Sequence, residues 1–206
     1  MPRRLDVDVL RRSALGQTDE VLMRFARFEA VVRRTDDIRW ANTMTLCSVH
    51  AIWERFAEGR LAVALNHAST HFLHTHGVRG IARVPGGLAS CLVRGGKKFF
   101  DFRSRSDLLG KADDLVSKAS NPFRSISKGD WDTLDAMATI RNVISHGSEA
   151  AWDTYRNLLR DAFYLRSAPS PGEFLDSIDR RPGSPTNGRK RLYIFMTTAR
   201  SVMASI

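Results

Sequence analysis

One stretch of this chain gathers residue types that could do chemistry. Ile140 to Gly147 reads IRNVISHG, which places Arg141 and Asn142 side by side and His146 four residues further on. Arginine is a permanent cation whose forked donors fit a phosphate. Imidazole is the side chain that exchanges protons near neutral pH. Cleavage of RNA by its own 2′-hydroxyl needs those two things, proton transfer and stabilisation of a charged phosphorane, and needs no metal. Asn142 could orient the imidazole or the phosphate by hydrogen bonding.

These residues must be positioned by a helix. Asp130 reads as its cap and Gly147 as its stop. At about 100° per residue, Leu134, Met137, Ile140 and Ile144 gather on the side facing a core. Asn142 and His146, four apart, share the opposite side with Asp135 and Thr139 nearby. Arg141 falls on the flank, beside Leu134 and Met137. Arg141 and His146 are about 140° apart around the helix, so they bracket a groove and do not stack. A structural reading competes: histidine in a last helical turn is favoured by the helix dipole alone. The chain also holds a second, looser copy from Arg60 to His67, which lacks the asparagine. On spacing alone the structural reading outweighs the catalytic one.

The other elements read as mostly helical. TDEVLMRFARFEAVVRR carries a stripe of Val21, Leu22, Phe25, Phe28, Val31 and Val32, with Thr18 as its N-cap and Asp19 and Glu20 in its first turn. A longer helix is expected from about Ile38 to His67, with Trp40, Met44, Cys47, Trp53, Phe56, Leu61 and Leu65 facing the core and Gly59 a weak point or kink. Six glycines and a proline make the middle irregular: a loop, a short helix over Leu88 to Val93, and a small extended element at KKFFDF. Ser106 is expected to cap a helix through about Lys118. SNPFRSISKGD is a connector. After Gly147, Ser148 caps EAAWDTYRNLLRDAF. APSPGEF and RRPGSPTNGRK are loop-like around a short helical piece, and LYIFMTTARSVMASI closes the chain as an apolar helix. The expectation is an all-α fold over residues 1–206 as a single domain, with a core of about 18–163, an irregular insert between early and late helices, and a C-terminal loop and helix over 164–206.

Composition bounds the partners. The 206 residues suffice for a core without staples, and 43% hydrophobic with 26% charged residues is ordinary for a soluble globular protein. No apolar run approaches a membrane span, and the start, MPRRLDVDVL, lacks the apolar stretch of a signal peptide. Two cysteines, Cys47 and Cys91, give no disulfide framework and point to a reducing cytoplasm. The net charge of +10 favours a polyanionic partner. Its basic pairs (Arg3-Arg4, Arg11-Arg12, Arg33-Arg34, Lys97-Lys98, Arg180-Arg181, Arg189-Lys190-Arg191) are scattered, which suits backbone steering better than base reading. An inert basic surface would look the same.

The tighter form RNVISH resembles the RNxxxH signature of the HEPN superfamily, with Asn directly after Arg, four residues between Arg and His, and a glycine after the motif. NPFRSISKGDWDTLDAMATIRNVISHG resembles the last core helix of bacterial RiboL-PSP-HEPN-type proteins, and LCSVHAIWERFAEG their long earlier helix. The resemblance spans about Thr18 to Phe163 in architecture, and only the motif is specific. It implies a HEPN-like helical bundle that forms a homodimer, with two motifs facing each other across a shared cleft. It implies a metal-independent endoribonuclease without cofactor, of the kind found in toxin–antitoxin, abortive-infection and CRISPR defence systems, with an antitoxin or defence-complex protein as a possible partner. By the same resemblance Arg141 contacts the scissile phosphate, His146 is the general acid and base, and Asn142 supports them. Glu54 matches an acidic or polar residue of the earlier helix. In a toxin subgroup the second position after the histidine is a tyrosine that receives nucleotides; here it is Ser148. The rival expectation is a non-catalytic HEPN-type RNA-binding or protein-interaction module. A helical DNA-associated regulator is a third, on charge alone.

Other features weigh less. His67, His71, His74 and His76 lie within ten residues, and His67 and His71 have the i, i+4 spacing of a helical metal pair. No carboxylate or cysteine adjoins them, so incidental histidines at a helix end are the expectation. RVPGGLA and VRGGKK lack phosphate-loop spacing and read as turns. Trp53, Trp131 and Trp152 fit apolar stripes better than base-stacking platforms.

Overall fold

The structure, a computed structural model, describes residues 4–98, 100–102, 104–181 and 183–206. Three features of the sequence reading touch residues outside that set: Arg3 of the first basic pair, Phe99 of KKFFDF and Pro182 of RRPGSPTNGRK. Nine α-helices follow in order among the described residues: α1 (Val7–Val31), α2 (Thr35–His67), α3 (Thr70–Thr75), α4 (Gly86–Arg94), α5 (Arg105–Leu115), α6 (Lys128–His146), α7 (Glu149–Phe163), α8 (Pro171–Asp176) and α9 (Arg191–Ser205). Two 3-10 turns, Lys118–Ser120 and Pro122–Ser125, precede α6. No strand occurs among the described residues, only a single antiparallel bridge between Ile178 and Lys190. The fold is all-α.

The helices fall into two compact units. One holds the chain through Leu15, Ile52–Ser127 and Met203–Ile206; the other holds Gly16–Ala51 and Lys128–Val202. Three of the four boundaries fall inside α1, α2 and α9, and the fourth lies at the start of α6.

In the first unit α1 starts eleven residues before the expected cap at Thr18. Asp6 is the residue that satisfies its free amides, accepting from Asp8 N at 2.8 Å and Val9 N at 3.3 Å. Thr18 is instead buried within the helix. The core is aromatic: Trp53 stacks on Phe56 and meets Phe102 and Phe123 edge-on. Phe100 and Phe102 therefore serve as core side chains of an irregular segment, where a small extended element was expected. α2 runs unbroken through Gly59. A Cβ there would sit 2.8 Å from Leu10 Cδ1, so the glycine lets α1 approach and does not break the helix. Ser104, two residues before the expected Ser106, caps α5 by accepting from Asp107 N, and α5 ends at Leu115.

The second unit holds α6, α7 and α8 with the flanking parts of α1, α2 and α9. Trp131, Leu134, Met137, Ile140 and Val143 bury one face of α6, while Ile144, expected on that face, is half-exposed. Tyr155, Leu159 and Phe163 of α7 join Phe174 of α8 and Phe195 of α9, with Phe163 and Phe174 centroids 4.8 Å apart. Trp152 is half-buried against Tyr155. α8 begins at Pro171, inside the stretch read as a loop, because Ser170 and Glu173 form a reciprocal capping box. Two expected core residues of α2 are on the surface: Trp40 is 62% exposed and Met44 39%. Cys47 is half-buried. Val31, at the end of α1, is exposed as well.

Candidate active site

α6 sets the motif. Its buried face fixes the rotation of the helix, so Arg141 emerges half-buried at the edge of the apolar stripe and Asn142 and His146 emerge exposed. Asp130 lies in the first turn, and the helix itself begins at Lys128. Gly147 ends it with φ 56°, in the left-handed region where glycine is free of strain, and its N–H donates to Val143 O at 3.1 Å. Ser148 then caps α7 by accepting from Ala151 N at 3.3 Å. The turn at the motif is thereby closed with both helix ends satisfied and with Ser145, His146, Gly147 and Ser148 all exposed.

The structure brings Arg141 and Asn142 together. Arg141 Nη1 donates to Asn142 Oδ1 at 3.2 Å, which biases a long side chain toward the polar side of the helix. Thr139 turns its hydroxyl onto Asp135 O at 3.0 Å, one turn before. From α2, Cys47 lies within reach of the Arg141 charge: burial pushes the Cys47 thiol up, and the guanidinium pulls it partly back. A thiol held in its neutral form is a poor nucleophile. The guanidinium has donors left over that can hold an anion, and His146 stands on the open end of the same helix with no hydrogen bond to Arg141 among the described residues. Glu54 is half-exposed on the part of α2 that belongs to the first unit, and its place beside the motif is carried by the resemblance alone.

The histidine-rich stretch is divided between elements. His67 closes α2 and donates Nε2–H to Leu5 O at 2.8 Å, whereas His71 belongs to α3, so their spacing is not one turn of one helix. His76 stacks edge-on against Phe72 at 4.3 Å. Among the described residues no three His, Cys, Asp or Glu side chains come together as a metal site. Arg60, of the looser copy, is half-buried, with burial and the nearby Arg11 charge both disfavouring its charged form. GGLASCLVR is the helix α4, so the glycine pair of RVPGGLA opens a helix, where a turn was expected and the helix only from Leu88.

The surface of α2 beside the motif was not legible as such. Trp40, Met44 and Ser48 stand one turn apart and point outward, with Cys47 next to them. Among the described residues no helix is long and apolar enough to cross a membrane. Compared with family models, with curated proteins and with solved structures, the chain matches none.

Proposed function

We propose that this protein is a HEPN-like endoribonuclease that cuts RNA through Arg141 and His146, with Asn142 as the support of the arginine. The observation that carries the reading is the pairing of Arg141 with Asn142 on an exposed helix end that also presents His146. In this reading Arg141 holds the scissile phosphate and offsets the charge of the phosphorane. His146 removes the 2′-hydroxyl proton and returns one to the leaving 5′-oxygen, leaving a 2′,3′-cyclic phosphate. The net charge of +10 supports a polyanionic substrate.

A homodimer belongs to the same proposal. An exposed Trp and Met on one stripe of α2 are costly to leave in water and are the kind of surface that a partner covers. In this reading a second copy covers Trp40 and Met44, and the shared cleft of two facing motifs is what the HEPN resemblance implies. An antitoxin or defence-complex protein remains a further proposed partner.

The test is incubation of purified protein with RNA in EDTA. Cleavage with 2′,3′-cyclic ends, lost in His146→Ala and in Arg141→Ala, supports the proposal. Tight RNA binding without any cleavage overturns it in favour of a non-catalytic RNA-binding or interaction module, and preference for DNA overturns both. Light scattering should give a dimer at micromolar concentration and a monomer for Trp40→Glu; a monomeric wild type sinks the shared cleft.

A further inference from the structure

A concave surface of about 720 Å³ opens at the C-terminal end of α7, lined by Arg156, Arg160, Tyr164, Arg166 and Ser167 among others. Arg156 and Arg160 are one turn apart and share a face. Among the described residues each is paired with an exposed local carboxylate: Arg156 Nη1 donates to Asp153 Oδ1 at 2.7 Å, and Arg160 donates through Nε to Asp161 Oδ1 at 2.7 Å and through Nη2 to Oδ2 at 3.2 Å. Both pairs are exposed to solvent and screened by salt, so a phosphate can compete with the carboxylate, most readily at the single-bonded Arg156. Arg166 is exposed and has no hydrogen-bond or ion-pair partner among the described residues.

Tyr164 is the unusual member. It takes φ 55°, ψ 32° at the end of α7 and is 77% exposed. That helix-end position is ordinarily glycine, because a Cβ is strained there. The backbone hydrogen bond that closes the helix, Leu165 N–H to Leu159 O at 3.0 Å, would form equally over a glycine at 164. The ring therefore costs the fold something and stands in solvent, beside three arginines.

We infer that this surface is an accessory subsite for single-stranded RNA, with Tyr164 stacking on an unpaired base and Arg156, Arg160 and Arg166 taking the flanking phosphates. A flat, exposed aromatic ring set among arginines matches the stacking-plus-backbone mode by which single strands are held. In a duplex the bases are already stacked, and the ring would have nothing to receive. The inference rests on the RNA reading of the α6 motif and extends it. α7 has fifteen residues and is about 22 Å long, so the subsite stands roughly that far from the turn that follows His146. A strand that occupies both must be several nucleotides long.

The experiment is fluorescence anisotropy of the full chain carrying His146→Ala, so that nothing is cut, with a labelled oligouridylate as probe. Adding Tyr164→Gly should weaken binding about tenfold or more, and Tyr164→Phe should restore it. Arg166→Ala should weaken binding and flatten its salt dependence. The melting temperature of Tyr164→Gly should not fall, which separates lost stacking from lost structure. Unchanged affinity in Tyr164→Gly overturns the subsite, as does an equal Tyr164 effect on duplex RNA or a preference for single-stranded DNA. If wild type fails to cleave RNA while binding still depends on Tyr164, the catalytic proposal falls and the subsite stands. If wild type cleaves and binding ignores Tyr164, the reverse holds.

Discussion

At the end of α6 the residue in the left-handed region is Gly147, with φ 56°; at the end of α7 it is Tyr164, with φ 55°. The first is free of strain and the second is not. Their surroundings differ in the opposite sense. The residues after Ile144 on α6 are exposed and braced by little beyond the cap of the next helix. The end of α7 is braced from the chain that follows it. Arg181 Nη1 donates to Ala162 O at 3.3 Å, and its guanidinium lies 4.7 Å from the Phe163 ring centroid. Arg181 is in turn fixed by the fully buried Asp179, at 2.9 Å through both Nε and Nη2. An unstrained, open helix end leaves its side chains free to meet a ligand. A strained one persists where the surrounding structure overdetermines it.

The largest expected effects lie at the open end. On the proposed function, His146→Ala should lower RNA cleavage by about 10²- to 10⁴-fold, the usual worth of a positioned proton-transfer group, and Arg141→Ala by about 10²- to 10³-fold, the usual worth of one donor that stabilises transition-state charge. Because His146 is exposed and Arg141 half-exposed, thermal melts of both should overlay wild type. A variant that keeps cutting but melts early would break the comparison by showing that the α6 end is structural after all.

The brace under α7 comes next. Burial pushes the Asp179 carboxyl up, but hydrogen bonds from Arg181 and Thr186 and the Arg181 charge outweigh it and hold it well below the usual carboxylate range. Asp179→Ala leaves a partly buried guanidinium unpaired and should cost about 3 kcal/mol in a urea melt near neutral pH. The sign with pH follows from the lowered value. The unfolded carboxyl titrates near pH 4, so the contribution is complete above that range and is lost as pH falls toward the folded value. Wild type should lose stability between about pH 5 and pH 2, and Asp179→Ala should lose less over the same window. Equal acid slopes would show that Asp179 is not the brace.

How much of this was written in the sequence differs between the same two ends. Gly147 and Ser148 announce a stop and a start, and they behave as such, because both signals are local backbone chemistry. The face of α6 was legible from the spacing of Leu134, Met137 and Ile140, which is why Asn142 and His146 were expected outside. Tyr164 was not legible, since no side chain other than glycine advertises a left-handed backbone. Trp40 and Met44 misled for another reason: hydrophobicity marks what would gain from burial, whereas the packing of α2 selected the face of Leu46, Val49 and Trp53. The cap of α5 was expected at Ser106 and is Ser104, two residues earlier. The start of α1 was in principle available from Asp6, whose aspartate precedes an apolar run.

Gly147→Ala sharpens the contrast at a smaller scale. It places a Cβ where φ is positive, with nothing within 4 Å to clash, so the cost is conformational and should be about 1 kcal/mol. The motif helix should then fray at His146, and cleavage should fall together with stability. A neutral Gly147→Ala would mean that the turn relaxes and that the two ends are not strained alike.

Tyr164→Gly is the smallest effect and the most discriminating, because two terms of similar size oppose each other. Relief of the left-handed strain gains about 1–2 kcal/mol. The greater freedom of glycine in the unfolded chain takes back about 0.4–1 kcal/mol. With an exposed ring there is little burial to lose. The balance is therefore a stabilisation of about 0.5–1 kcal/mol, readable as a higher urea midpoint at constant m-value. Done in Asp179→Ala, the same substitution should stabilise by less than in wild type, since an unbraced end can already relax its strain. Destabilisation by Tyr164→Gly in the intact protein would mean that the ring packs to some purpose, and the case for a residue retained at a cost to the fold would fail with it.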